Sequence, residues 1–295
     1  MIGEWLKALL YGIVEGVTEW LPVSSTGHLI LFEELIPFGF SSDARLLAEF
    51  GELFEVVIQL GAILAVVILM RERLFPRLDS HTRAERRAVF ALWGRLLIAS
   101  LPAALLGVLG DFALERLTGK DLDGWIYHAP VVAAALIIYG VAFLLIERRA
   151  DLPTRVSSVE ALSCRDAVGI GFFQALSLVP GTSRSGATVL GGRLLGFSRP
   201  LAAEFSFLMA IPVMLGASAV KMLGFCAYLK ETGSVLPIDA WGALVIGCLT
   251  AFAVSLIAVR FLMEFVKRHS FAPFGVYRIL LGAVVLMRWI LTGWK

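Results

Sequence analysis

Glu15-Gly16-Val17-Thr18-Glu19-Trp20-Leu21-Pro22-Val23-Ser24-Ser25-Thr26-Gly27-His28 decides how this chain folds. The stretch sits in apolar sequence, yet it holds two carboxylates, an imidazole, a proline and three consecutive hydroxyls. Proline removes a backbone donor and stops the helix that reaches it. Pro22 therefore divides the apolar region 5–37 near its middle. Region 167–200 is broken in the same way at Val179-Pro180-Gly181-Thr182-Ser183-Arg184-Ser185-Gly186-Ala187-Thr188. At membrane depth, irregular backbone survives only where it is buried in protein or lines a wet cavity. Both regions are predicted to be re-entrant helical hairpins.

The membrane setting comes from composition. Hydrophobic residues make up 58% of the 295, and charged residues only 17%. A soluble domain carries about 25% charged residues. Apolar stretches at 56–70, 96–110, 131–146, 205–223, 240–259 and 276–291 approach the spanning length of roughly 17–25 residues. They predict an all-α polytopic bundle with six spans rather than two soluble domains. The net charge of +2 gives no reason to expect nucleic acid. Cys164, Cys226 and Cys248 form no CxxC pair. They offer neither a disulfide framework nor a zinc site and read as packing residues. The opening residues lack a basic region followed by a cleavage signal, so no cleaved signal peptide is expected.

Basic residues set orientation, because cytoplasmic loops are enriched in Lys and Arg. Arg71, Arg73, Arg77, Arg83, Arg86 and Arg87 form the most basic segment and are placed in the cytoplasm. Asp111, Glu115, Asp121 and Asp123 outweigh Arg116 and Lys120, and that loop is placed outside. Arg148, Arg149, Arg155 and Arg165 return to the inside. The segment around Lys230 and Glu231 is placed outside, and the loop with Arg260, Lys267, Arg268 and Arg278 inside. The two breaks also resemble each other. Pro22 pairs with Pro180, Ser24 with Thr182, Ser25 with Ser183 and, after one inserted residue, Gly27 with Gly186. Phe54 and Gln59–Ala62 loosely match Phe205 and Ala210–Val213. The expected architecture is one hairpin plus three spans (1–150), then an inverted second copy (151–295). The hairpins then enter from opposite sides, and both termini lie outside. Interrupted segments in matching positions point to a site at the repeat interface.

Glu15 and Glu19 stand four apart and share a helix face. A carboxylate in lipid is costly, at least about 2.5–3.5 kcal/mol, which favours a functional reading. Together they offer oxygen ligands to a divalent cation near phosphate; one of them paired with an arginine is the alternative. Ser24, Ser25, Thr26 and Gly27 begin a new helix. Its free N–H groups attract phosphate, although the hydroxyls also suit simple capping. Ser25 and His28 are close enough in sequence to converge. His28 suits general acid–base work or attack on phosphorus. Arg184 matches phosphate with paired hydrogen bonds and also suits neutralisation of Glu19. Ser183, Ser185 and Thr188 add donors, and Gly181 and Gly186 permit close approach of backbone to an anion. No Gly-Lys-Ser/Thr follows, so this is not a P-loop. The inventory fits phosphoryl transfer, which needs mainly positioning and charge stabilisation.

The two motifs resemble the undecaprenyl-diphosphate phosphatase family, also called bacitracin-resistance proteins. Phe54-Glu55-Val56-Val57-Ile58-Gln59-Leu60-Gly61 and Glu204-Phe205-Ser206-Phe207 also fit its pattern, and the likeness spans nearly the whole chain. The resemblance implies removal of one phosphate from undecaprenyl diphosphate, supplying the monophosphate carrier for cell-wall synthesis. It implies a divalent metal ion, Mg2+ or Ca2+, and a polyprenyl diphosphate substrate. It also implies a bacterial inner membrane location among membrane lipids, with a site open to the periplasm. By match, Glu15 and Glu19 take the acidic, metal-holding roles, Ser25 and His28 the reactive ones, and Arg184 the phosphate-binding one. Trp20, where phenylalanine is more usual, and Thr182 are mild departures. The other lipid phosphatase class needs a distal histidine, and only His269 lies C-terminal to Arg184, so that class is rejected. A transporter or flippase of a polyprenyl phosphate lipid is the rival reading. The choice between Ser25 and His28, the metal's identity and the oligomeric state, a homodimer included, stay open.

Overall fold

The computed structural model describes residues 2–75, 82–119, 122–149 and 153–293. Arg77, Lys120 and Asp121, used above for orientation, lie outside the described residues, as does the side chain of Asp123. The described elements are helical. They run α1 (Ile2–Thr18), α2 (Ser25–Leu35), α3 (Ala44–Leu69), the single turn α4 (Arg71–Leu74), α5 (Arg83–Thr118), the short α6 (Leu122–Ile126), α7 (Ala129–Arg148), α8 (Cys164–Ala175), α9 (Arg184–Leu194), α10 (Arg199–Thr232), α11 (Ile238–Arg268) and α12 (Ala272–Thr292).

Six of these, α3, α5, α7, α10, α11 and α12, are long and apolar enough to cross a membrane. They correspond one to one with the six predicted stretches; each begins before its stretch, and all but α3 run past its end. Helix α5 begins at Arg83, thirteen residues before the apolar stretch. It carries Arg83, Arg86 and Arg87 at one end and Asp111, Glu115 and Arg116 at the other. These charges were read as loop residues; they continue the helix because straight-chain charged residues are good helix formers. Arg278 is a larger correction. It is not in a loop: it lies in α12 and is fully buried.

The two broken regions fold as helix, irregular turn, helix. In the first, α1 ends at Thr18, Pro22 lies in the turn, and α2 restarts at Ser25. In the second, α8 ends at Ala175, a 3-10 turn covers Leu176–Leu178, and α9 restarts at Arg184. Each new helix is capped by a serine with positive φ, Ser24 at 76° and Ser183 at 70°. Each cap hydroxyl accepts the N–H three residues on, from Gly27 and Gly186 respectively. The equivalence of the two breaks is therefore Ser24 with Ser183 and Ser25 with Arg184. This corrects the pairing read from sequence, which put Ser24 opposite Thr182. The extra residue falls before the cap, between Pro180 and Ser183, where a sequence comparison has no cap geometry to fix it.

Packing sets the two broken regions against the long helices. Helix α1 lies along α11, and α8 lies along α5. Both contacts are close because a glycine faces them. A Cβ on Gly12 would come within 2.6 Å of the Gly247 carbonyl oxygen, and one on Gly171 within 2.5 Å of that of Ala99. Helices α3 and α10 pack together, as do α7 and α12. Ion pairs mark both ends: Lys221 with Glu52, and Arg73 with Glu204 and Glu160. Similarly, Arg288 pairs with Glu34 on α2, while Arg193 and Arg199 meet Glu147 on α7.

Candidate active site

The turns of the two broken regions meet, and Glu19 is where they meet. Its Oε1 accepts from Arg184 Nη2 (2.8 Å), and its Oε2 accepts from the Ser25 hydroxyl (2.8 Å). Ser25 and Arg184 are the first residues of α2 and α9. Equivalent positions of two helices, 159 apart in sequence, thus hold one carboxylate from two sides. The ion pair is largely buried, with the Arg184 side chain 10% and the Glu19 side chain 8% exposed. A charge-assisted bond in such surroundings is shorter and stronger than a neutral one.

Arg184 is held at its other end. Nη1 donates to the Ser206 carbonyl on α10 (2.7 Å), and the guanidinium carbon stands 5.7 Å from the Trp20 ring centre. Trp20 thus provides an aromatic face to a cation, a favourable arrangement. Ser206 was not singled out from sequence as a contact of Arg184; an ordinary serine in an apolar helix gives no signal until its partner is known.

Glu15 is wholly buried, and neither carboxylate oxygen has a hydrogen-bond partner. It precedes Glu19 by one helical turn, the Glu19 N–H donating to the Glu15 carbonyl (3.0 Å). An unpaired buried carboxylate demands a cation or a proton. Among the described residues no group of three or more His, Cys, Asp and Glu gathers to hold a metal. Glu15 does fit a cation of the magnesium type, which takes one or two carboxylates and completes its shell with waters and substrate phosphate.

Ser25 and His28 share no hydrogen bond. Both imidazole nitrogens of His28 are engaged elsewhere. Nδ1 lies 2.6 Å from the Ser24 carbonyl, which can only accept, so Nδ1 carries the hydrogen. Nε2 of the neutral ring then accepts from the Tyr277 hydroxyl (2.7 Å). Tyr277 was not picked out from sequence, and Arg278 beside it was read only as a loop charge.

The remaining candidates divide into two groups. Ser24, Gly27, Ser183 and Gly186 form the two caps already described. Thr26 is half-buried in the first turn of α2. The Ser185 hydroxyl braces the first loop, lying within reach of the Glu19 (3.1 Å) and Leu21 (3.3 Å) carbonyls. Thr188 binds the Arg184 carbonyl (2.8 Å) and the Ser206 hydroxyl (2.7 Å). Ser185 and Thr188 are buried and aimed at protein. The first N–H groups of α2 and α9 have no intrahelical acceptor. Ser25, Thr26, His28, Ser183 and Arg184 are all partly accessible there.

The chain is also similar to known proteins over nearly its whole length. The profile of the family described as "Bacitracin resistance protein BacA" matches residues 8–284. An undecaprenyl-diphosphatase of Lactococcus lactis subsp. cremoris (strain SK11) is 47% identical over 293 residues, covering 96% of each chain. One from Acetivibrio thermocellus is 46% identical over 286 residues, covering 96% of this chain and 97% of its own. One from Enterococcus faecalis (strain ATCC 700802 / V583) is 43% identical over 287 residues, covering 97% and 98%.

Proposed function

The chain belongs to the bacitracin resistance protein BacA family, and from that membership and the site's geometry we propose that it removes the terminal phosphate of undecaprenyl diphosphate. The protein is a multi-pass membrane phosphatase. Its product, undecaprenyl phosphate, is the carrier that cell-wall synthesis reuses, and removal of the diphosphate form underlies bacitracin resistance.

The observation that carries the mechanism is the grip of Ser25 and Arg184 on Glu19. Glu19 is the base to which the Ser25 proton passes. Ser25 Oγ attacks the terminal phosphorus, forming an O–P bond, and the bond from phosphorus to the bridging oxygen breaks. Undecaprenyl phosphate leaves with that oxygen. Water then cleaves the phosphoserine and releases inorganic phosphate, restoring Ser25. Arg184 and the N–H groups at the starts of α2 and α9 stabilise charge on the phosphate oxygens. His28 is less suited to attack because both nitrogens are committed. Glu15, with Glu19, would hold a divalent cation; when bound, it neutralises phosphate charge.

The proposed frame is an inverted duplication, with the two broken regions as re-entrant hairpins. Matched contacts support it: α1 on α11 answers α8 on α5, and Gly12 answers Gly171. The Glu34–Arg288 pair answers Arg193–Glu147 with the signs exchanged. The open ends of the first hairpin are tied together by Lys7 with the Pro37 carbonyl and by Glu4 with the Gly39 N–H. They adjoin the start of α3, and the basic segment follows the far end of α3. That supports a site opening to the periplasm.

The test is phosphate release by purified protein in detergent with undecaprenyl diphosphate and Mg2+ or Ca2+. Release of one phosphate per lipid, and acid-stable phosphate on Ser25 after rapid quench, are expected. A lipid that stays intact while changing leaflet in liposomes would favour the transporter reading instead.

A further inference from the structure

Among the described residues, Arg278 is the basic residue most completely withdrawn from solvent, with 0% exposure. Its Nη2 donates to the carbonyls of Gly181 (2.8 Å) and Thr182 (2.8 Å), in the second broken loop. Its Nη1 donates to the carbonyl of Pro22 (3.2 Å), in the first. Its guanidinium carbon stands 5.6 Å from the centre of the Tyr139 ring on α7. Among the described residues, no carboxylate lies within ion-pairing distance of it. We propose that Arg278 is the positioning residue for the phosphatase site: it locks the two loops in register, so that Ser25 and Arg184 arrive together on Glu19. This rests on the reading given above.

Three features support that assignment over a merely structural one. The acceptors belong to both loops, and they sit directly upstream of the caps. Thr182 precedes Ser183 by one residue, and Pro22 precedes Ser24 by two. These are the serines whose positive φ turns the chain into α9 and α2. The site is also shaped for the guanidinium: a Cβ on Gly186 would come within 3.0 Å of Nη1. The space beside Gly186, read from sequence as room for an anion, is occupied by Arg278. Finally, burying a guanidinium against carbonyls alone is costly, and a leucine or methionine would pack more cheaply if packing were its whole purpose. A planar fork of donors can bind two loops at once.

The experiment compares Arg278→Met and Arg278→Lys with the unsubstituted full chain, purified in detergent with undecaprenyl diphosphate as substrate. Misplacement of reacting groups by about 1 Å costs on the order of 100-fold. The expected result is a kcat about 100-fold lower for Arg278→Met, with KM changed by less than about threefold and a cooperative thermal transition retained. Arg278→Lys is expected to recover part of kcat, since an ammonium can still serve some of the carbonyls. A kcat within about twofold of the unsubstituted chain for Arg278→Met overturns the proposal, as does a loss confined to KM. Should Arg278→Met not fold, the lysine variant decides. A reduced kcat at unchanged KM supports the role, and full kcat overturns it. Phosphate release by the unsubstituted chain in the same assay separates failure of this proposal from failure of the phosphatase reading.

Discussion

Ser24 and Ser183 combine two requirements that seldom coincide. Their backbones take the left-handed region that favours glycine, and their hydroxyls cap the helices that follow. Alanine loses the cap and keeps the strain. Glycine loses the hydroxyl but relieves the strain, and glycine at a cap costs only a few tenths of a kcal/mol. Ser183→Ala is therefore expected to be less stable than Ser183→Gly by roughly 1 kcal/mol. Thermal unfolding in detergent measures this, and the reverse order would show that cap and conformation are not coupled. A second expectation separates the two reactive candidates. Ser25→Ala should reduce phosphate release by about 10³-fold or more, while His28→Ala should cost only about 10- to 100-fold. Initial rates at saturating substrate decide it; a larger loss for His28→Ala would make the histidine the attacking group. Glu15, Glu19 and Arg184 stood out in sequence because charge inside apolar sequence is expensive, and Ser25 because it opens the helix that restarts after Pro22. Arg278 did not, because it was read with Arg260, Lys267 and Arg268 as part of a basic loop, and its partners lie 96, 97 and 256 residues away.

The hairpins depend on close contacts along α1 and α8. Gly12 and Gly171 each bring a backbone against the carbonyl of a neighbouring long helix. A valine at either position must push the helices apart, and overpacking of this kind costs about 1–3 kcal/mol. Gly12→Val and Gly171→Val are both expected to lower the thermal transition, and by similar amounts if the halves are duplicates. A marked inequality would weaken the inverted-repeat reading. At this scale the sequence announced the elements well, since each break carries its own proline and glycine. It misjudged the alignment between them by one residue. Letter-by-letter comparison matched hydroxyls to hydroxyls, whereas the folded equivalence matches Ser25 to Arg184, two residue types with no chemical likeness. Helix ends were also set too short, because hydropathy marks the lipid-embedded core of a helix rather than its full length.

Six long apolar helices pack with the two shorter pairs, and much of the outer surface is apolar and exposed. Leu97, Leu101, Leu105, Leu109 and Phe112 along α5 are examples. A lipid bilayer accounts for that surface, and the substrate's polyprenyl chain shares its chemistry. Orientation follows from the basic segments and can be checked with thiols. Ser42 lies between α2 and α3, beside the open ends of the first hairpin. Cys164 opens the second hairpin and is exposed. In intact cells, a membrane-impermeant maleimide is expected to label Ser42→Cys in a chain with its native cysteines replaced. It should label Cys164 only after permeabilisation, and the opposite pattern would invert the topology. Composition and loop charge were sufficient to foresee the bundle and its span count. They could not reveal that both breaks meet on one carboxylate, since that contact joins residues 165 apart. The central claim is that Glu19, held by Ser25 and Arg184, is the base of a phosphatase. The most direct test is the rate of phosphate release from undecaprenyl diphosphate by Glu19→Gln, which keeps shape and removes the proton acceptor. A fall of about 10²- to 10⁴-fold with thermal stability retained is the expected result; a rate within about threefold of the unsubstituted chain would contradict the account.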